Sequence, residues 1–207
     1  DLRKAGPGLD LAIAAALLHA SGELSLAPLT GWSLVGELAL DGSLRPVRGA
    51  LAMAEAVREG GGRGIVVPPA NGPEAALAGS VEVRVIGNVA ELRAMTEGEP
   101  PGQRAEPLAV DDHGAGPDLA DLRGQEHLRR GLEIAAAGGH GMLMIGPPGA
   151  GKSLAARRLP SLLPPLEGEE FLEVARIASA CGSAGRLSST RPFRAPHHTV
   201  STAGLIG

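Results

Sequence analysis

Tyrosine is missing from this 207-residue chain, and the aromatic content rests on one Trp and two Phe. No run of aromatics is available to stack successive bases, so any single-strand contact has only Phe193 to offer near the C-terminal end. Cysteine is reduced to Cys181, which excludes an intramolecular disulfide and gives no sign of secretion. Leu11 to Leu18 is the longest uninterrupted apolar run and is too short to span a bilayer. No signal-peptide pattern is visible, and a chain running from Asp1 to Ile206-Gly207 reads as a piece cut from a longer protein. The cytoplasm is the expected compartment, with no membrane partner. A net charge of −4 provides no global basic field for nucleic acid, although it leaves room for local contacts. Lysine is nearly absent too: Lys4 and Lys152 are the two, and the remaining cations are arginine. What is plentiful is Gly, Ala, Arg and Pro. With 43% apolar residues in clear patterns, this is a coding bias in a folded protein rather than a disordered composition.

One of the two lysines closes Gly146-Pro147-Pro148-Gly149-Ala150-Gly151-Lys152-Ser153, which fits G-x-x-x-x-G-K-[ST] without a mismatch. Met142 to Ile145 before it predicts a short buried parallel strand, and Lys152 to about Leu159 predicts a helix after it. Glycines let the loop backbone approach an anion, and the loop N–H groups with the helix start favour negative charge. Lys152 is the candidate catalytic residue, reaching the β and γ phosphates, and the Ser153 hydroxyl is the candidate Mg²⁺ ligand. All eight loop residues are assigned to binding ATP with Mg²⁺.

Upstream, residues 1–97 read as an α+β domain. Asp10 is expected to cap a helix from Leu11 to Ala20. Leu34 to Leu40 and Leu44 to Val47 read as strands joined at Asp41-Gly42, a hairpin signal. Gly49 to Glu59 predicts a helix ended by glycines, Ile65 to Val67 a buried strand, and Asn71 a cap on a helix reaching Ala78. The apolar/charged alternation of Val81 to Ile86 suits a half-exposed strand, and Asn88 should cap a helix from Val89 to Glu97. His19 reads as a packed or surface histidine rather than a catalytic one.

Residues 98–117 carry four prolines and four glycines, and read as a flexible connector. Asp111, Asp112 and His113 within it are read as solvated rather than metal-bound. In residues 118–207 a helix is expected from Glu126 to about Ala137, with Leu128, Leu132, Ala135 and Ala136 on one face. Pro160 and Pro164-Pro165 should break the chain, Glu167 to about Ala178 is a further helix, and Cys181-Gly182-Ser183 begins an irregular stretch. Arg191, Arg194, His197 and His198 form a local basic patch around Phe193. DNA contact there competes with subunit packing or a plain turn. Adjacent His197 and His198 point apart in any regular element, which makes joint metal ligation a poor reading.

Lys4-Ala5-Gly6-Pro7-Gly8, Gly36 to Gly42, Leu44-Arg45-Pro46-Val47, and Gly60-Gly61 with Val66-Val67-Pro68 resemble the proteolytic domain of Lon proteases, a ribosomal S5-like fold. That family uses a Ser–Lys dyad. The positions that match the dyad hold Gly8 and Leu51, so the resemblance implies the shape without the protease chemistry. The D-L-x-G-Q pattern at Asp121 to Gln125, a helix, and then the phosphate loop resemble the entrance of an AAA+ ATPase, a P-loop α/β domain. Arg157-Arg158-Leu159-Pro160, Leu163 to Leu166, and above all Arg191-Pro192-Phe193-Arg194-Ala195-Pro196-His197-His198-Thr199 narrow this further. They look like the magnesium-chelatase-like YifB/ComM group, which carries a Lon-like domain ahead of the ATPase module.

The resemblance implies an N-terminally truncated Lon-like domain (1–97), a linker (98–117) and the first part of an AAA+ domain (118–207). It also implies a hexameric motor of self-associating subunits that hydrolyses ATP and acts on DNA as a helicase or branch-migration factor in natural transformation. Leu122, Gly124 and Gln125 would border the adenine, and Phe193 to His198 would approach a substrate in a central pore. The acids that hold Mg²⁺ and orient water are expected beyond Gly207, so hydrolysis is expected of the full-length protein and not of this stretch alone. The alternatives are a chelatase motor driving metal insertion, a nucleotide-gated scaffold without catalysis, and a RadA-like recombination ATPase. The last is disfavoured by domain order.

Overall fold

The computed structural model describes residues 6–93, 100–109, 117–182, 187–197, 199–201 and 203–204. The chain is mixed α/β and divides into two compact units, residues 1–110 with 168–187, and residues 111–167 with 188–207. Among the described residues no helix is long and apolar enough to cross a membrane.

The first unit is built on a four-stranded sheet. Strands β1 (Trp32–Leu34), β4 (Gly64–Val67) and β5 (Glu82–Val85) run parallel, and β6 (Gln103–Arg104) closes one edge antiparallel to β5. β4 is central and buried along its whole length, and its period of two explains the layering. Ile65 and Val67 join a core with Leu51, Ala54, Ala75 and Val83, beneath helix α2 (Ala50–Glu59). Val66, between them, faces the other way into a core with Leu11, Ala15, Leu44, Ile86 and Leu92, beneath helix α1 (Asp10–Ala20). Full burial of side chains such as Leu51 and Ile65 contributes about 1.5–3 kcal/mol each. Gly64 is required by close approach: a Cβ there would lie 2.5 Å from both the Trp32 ring and the Glu82 carbonyl oxygen.

The hairpin is as expected. Strands β2 (Glu37–Leu38) and β3 (Leu44–Arg45) pair antiparallel, and Gly42 turns the chain at φ +84°. Both strands are shorter than their sequence patterns: Leu34 belongs to β1, the Val35 and Gly36 N–H groups donate to the Val66 and Gly8 carbonyls, and the Val47 backbone is taken by the Asn71 side chain. Asp41 accepts from the Ser43 N–H (2.9 Å) and hydroxyl (2.6 Å), and these bonds pull its carboxyl below the usual carboxylate range. Asn88 caps as predicted, with Glu91 completing a capping box, but the element is a short 3₁₀ turn, Val89–Leu92.

Two expected caps act otherwise. Asp10 is the first residue of α1, and its carboxylate accepts the Leu38 N–H (3.3 Å), tying the helix to β2. Asn71 is buried and grips Val47 from both sides. Its Oδ1 accepts the Val47 N–H (2.9 Å), while its Nδ2 donates to the Val47 carbonyl (2.8 Å) and to Glu74 Oε1 (2.5 Å). Only the single turn of α3 (Gly72–Ala75) and a 3₁₀ turn follow it. His19 is a surface histidine: it is exposed, and its Nδ1 lies 2.9 Å from the Leu24 carbonyl oxygen.

The stretch read as a connector supplies part of this unit. Besides β6, the Ala105 N–H donates to the Val83 carbonyl (2.9 Å) and the Leu108 N–H to the Pro73 carbonyl (3.0 Å), and both side chains pack on the core. The pairing is tight at Gly102, where φ is +80° and a Cβ would stand 2.1 Å from the Val85 carbonyl oxygen. Short strands flanked by prolines carry too little periodicity to be visible in sequence. The reading of Asp111, Asp112 and His113 lies outside the described residues.

Helix α7 (Gly168–Cys181), three residues longer at its C-terminal end than expected, belongs to the first unit although it follows the phosphate loop in sequence. It packs on α2 through Phe171, Ala175 and Ala178. Arg176 makes a two-pronged bond to the buried Glu55 carboxylate (2.8 and 3.0 Å) and a third to Glu169 (2.7 Å). Both partners raise the Arg176 pKa above its ordinary value. Ser179, also buried, accepts the Gly49 N–H on its carbonyl (3.0 Å), which satisfies the start of α2.

Candidate nucleotide-binding site

The second unit has a small core of Leu119, Leu122, Leu132 and Ala155. Helix α4 (Glu126–Gly138) lays Leu128, Leu132 and Ala135 against it and ends at Gly139, whose φ of +61° makes the left-handed cap that two successive glycines predict. From there the chain runs into the loop. Met142–Ile145 is not a paired strand: Leu143 is 83% exposed and Ile145 88% exposed, while Met144 alone packs on the core. The apolar pattern is that of a strand buried on both sides, but no described strand of this unit lies beside it to supply a ladder.

The loop itself is formed. Gly149 and Gly151 sit at φ +80° and +78°, conformations that L-residues rarely adopt. The Lys152 ammonium folds back over the loop, donating to the carbonyls of Gly146 (2.7 Å) and Pro147 (2.8 Å). The ammonium is thereby held against the backbone at the start of the loop. Pro147, Pro148 and Gly149 are exposed. Ser153 is the second residue of helix α5 (Lys152–Ala156), which is shorter than predicted: Arg157-Arg158 form a turn, and helix α6 (Leu159–Leu162) takes Pro160 in its first turn rather than breaking there.

The opening segment meets the loop directly. Gln125 Nε2 donates to the Ala150 carbonyl (3.1 Å) and crowds Gly151, where an added Cβ would stand 3.2 Å from it. Gly124 turns at φ +73° to bring Gln125 there. Leu122 is buried, so its side chain serves the core rather than a ligand. Sequence reasoning missed Arg158, which is 8% exposed. Its guanidinium donates to the carbonyls of Asp118 and Leu154 (2.8 Å each) and to Asp121 Oδ2 (3.0 Å), clamping the opening segment to the helix behind the loop. Arg158 stands five residues past the loop serine, within the Arg157-Arg158-Leu159-Pro160 stretch that carries the family resemblance, but nothing in that pattern foretells a buried clamp.

The basic stretch is partly braced. Arg191 Nε donates to the Pro164 carbonyl (2.9 Å), and the Ser189 carbonyl accepts the Leu166 N–H (2.6 Å). Phe193 lies under the Arg157 guanidinium, 5.8 Å from its ring centroid, in a cation–π contact. Arg194 is exposed, and His197 Nδ1 is 2.8 Å from Thr199 Oγ1. The side chain of His198 lies outside the described residues. Among the described residues no group of three or more His, Cys, Asp or Glu is arranged to hold a metal ion.

Two family models match the chain: subunit ChlI of Mg-chelatase over residues 1–71, and magnesium chelatase, subunit ChlI, over residues 118–207. YifB of Salmonella typhimurium is 45% identical, and YifB of Escherichia coli 43% identical, each alignment covering this whole chain and 41% of the relative. Competence protein ComM of Haemophilus influenzae is 36% identical over the whole chain and 42% of its own length. The chain belongs to the YifB/ComM family of magnesium-chelatase-like proteins. It spans about two fifths of the length of these relatives. The YifB/ComM family is of the AAA+ ATPase type, in keeping with the loop geometry.

In this YifB/ComM chain the two positions matched to a Ser–Lys dyad are apolar surroundings, not chemistry. A Cβ at Gly8 would meet Val35, Val47 and Met53, and Leu51 is completely buried in α2. Neither offers a nucleophile or a base.

Proposed function

We propose that this chain supplies the phosphate-binding part of an ATP-driven motor subunit that acts on DNA. The carrying observation is the formed loop Gly146–Ser153, with Lys152 poised on the Gly146 and Pro147 carbonyls and Gln125 bonded to Ala150. The residues fit the group. Loop N–H groups with Lys152 would hold the β and γ phosphates of ATP, Ser153 would ligate Mg²⁺, and the backbone around Leu122, Gly124 and Gln125 would border the adenine. ATP with its Mg²⁺ supplies the free energy of phosphoryl transfer; the chain's own part is to cradle the phosphates and neutralise charge. The N-terminal unit is Lon-like in shape, and the full-length protein is the hydrolase, working in the cytoplasm as a homo-hexamer.

DNA action rests on kinship to a competence protein and on the basic stretch, where Arg194 is exposed and Phe193 carries Arg157 on its face. Arg191, Phe193, Arg194, His197 and His198 are the proposed contact set. The test is ATPase activity of the full-length parent with and without forked or single-stranded DNA, beside Lys152→Ala. DNA-stimulated hydrolysis that vanishes in the variant supports the motor. Hydrolysis that depends on Lys152 but ignores DNA points to a chelatase-type client, and no Lys152-dependent hydrolysis refutes the catalytic reading.

A further inference from the structure

A concavity lies wholly within the first unit, far from the Gly146–Ser153 loop in sequence. It measures about 420 Å³, within the size range of small-molecule sites. Its walls are Pro46, Val47, Pro73 and Leu108, with Arg48, Asn71 and Glu74 as the polar groups. The cavity forms where the Val47–Asn71 clamp ties together two segments stiffened by Pro46 and Pro73.

The charges do not balance internally. Glu74 is 6% exposed; its Oε1 accepts from Asn71, and its Oε2 is buried with no hydrogen-bond partner among the described residues. Asn71 has nothing left to give, since its amide is committed to Val47 and Glu74. A carboxylate oxygen kept in that state costs stability, and such costs persist where a partner arrives from outside. On the same concavity stands Arg48, exposed and in no ion pair within the described residues, its fork matched in shape to a carboxylate. No aromatic side chain lines the space, which removes the stacking that would favour a nucleobase.

We propose that this concavity binds a small amino-acid-like zwitterion, its ammonium group donating to Glu74, its carboxylate paired with Arg48, and an apolar side chain against Pro46, Val47, Pro73 and Leu108. Binding is reversible and breaks no covalent bond.

The test uses the full 207-residue chain and a panel of the twenty free L-amino acids, by calorimetry and ligand-observed NMR. At least one apolar amino acid binds saturably, with N-acetyl and carboxamide forms of the same compound as singly charged controls. Each control binds about tenfold more weakly or worse, as loss of one charge-assisted bond implies. Arg48→Met, at an exposed position, weakens the parent compound similarly while leaving its weakened carboxamide form unaffected. Glu74→Gln removes the ammonium's acceptor and does the same toward the N-acetyl form. If the Gln variant does not fold, the Arg48 arm and the two controls still decide. No saturable binding across the panel overturns the proposal, and so does binding by either control as tight as by the zwitterion. Lys152→Ala leaves this binding unchanged, so the outcome is separate from that of the ATPase experiment.

Discussion

Replacing Asn71 is the sharpest probe of the first unit, because one side chain closes three hydrogen bonds that nothing nearby can replace. Asn71→Ala strands the Val47 N–H and carbonyl and removes the one donor to Glu74. Each such bond contributes about 0.5–1.5 kcal/mol net, and a stranded buried group costs more, which places the loss at about 2–4 kcal/mol. Asn71→Asp retains an acceptor for the Val47 N–H but sets a second carboxylate against Glu74. It should therefore cost at least as much, although it is the closer mimic in shape. Urea unfolding followed by fluorescence reports on this unit alone, since the single tryptophan, Trp32, lies in β1. With a slope of about 1–3 kcal/mol per molar urea, the midpoint for Asn71→Ala should fall by about 1–2 M. A fall under about 0.3 M, or an Asp variant as stable as the unaltered chain, would refute the idea that this clamp carries the local stability.

Three further outcomes follow from the same kind of reasoning. Arg158→Met keeps the length but loses the three bonds to Asp118, Leu154 and Asp121, costing the second unit about 2–4 kcal/mol and weakening nucleotide binding; calorimetric melting and nucleotide titration of the variant check both. Ser43→Ala removes the main cause of the lowered Asp41 pKa, so by NMR titration the carboxyl should move up toward its ordinary value. Because a depressed carboxylate contributes stability above its unfolded pKa and loses it as pH falls through the folded one, the two chains should differ at neutral pH and converge in acid. Gly102→Ala drives a methyl into the Val85 carbonyl at a positive φ, and should release β6, seen as faster amide exchange at Ala105.

Much of the first unit was legible because its elements carry their own periodicity. The uninterrupted Ile65-Val66-Val67 run announces a strand covered on both faces, and Asp41-Gly42 announces a hairpin whatever surrounds it. β6 was not legible, because two paired residues between prolines have no period to detect; what holds them is β5, a partner distant in sequence. The misjudged caps have one cause. Asp10 and Asn71 are residue types that favour helix starts, but each found a better tertiary acceptor or donor in β2 or at Val47. In the loop the left-handed turns at Gly149 and Gly151 were legible from the glycines of the motif, since that geometry is local. Gln125 was named from the opening pattern, but its bond to Ala150 across 25 residues and the Arg158 clamp are tertiary facts. The Met142–Ile145 pattern is that of a buried strand, yet burial needs neighbours, and none of the described strands stands beside it.

The interleaved path of the chain bears on how these parts can be handled and inherited. Helix α7 leaves the phosphate-loop segment in sequence, seats Ala175 among Ala50, Leu51 and Ala54, and the chain then returns to the second unit. A single cut after residue 110 therefore does not yield the first unit intact: it strips α2 of Arg176 and Ser179 and leaves the Glu55 carboxylate unpaired on a newly bared apolar face. Exchange of modules between relatives by one crossover would break the same contacts. The two parts are bound to travel together, and a lesion in α7 would surface as misfolding around α2, which in linear order lies more than a hundred residues upstream.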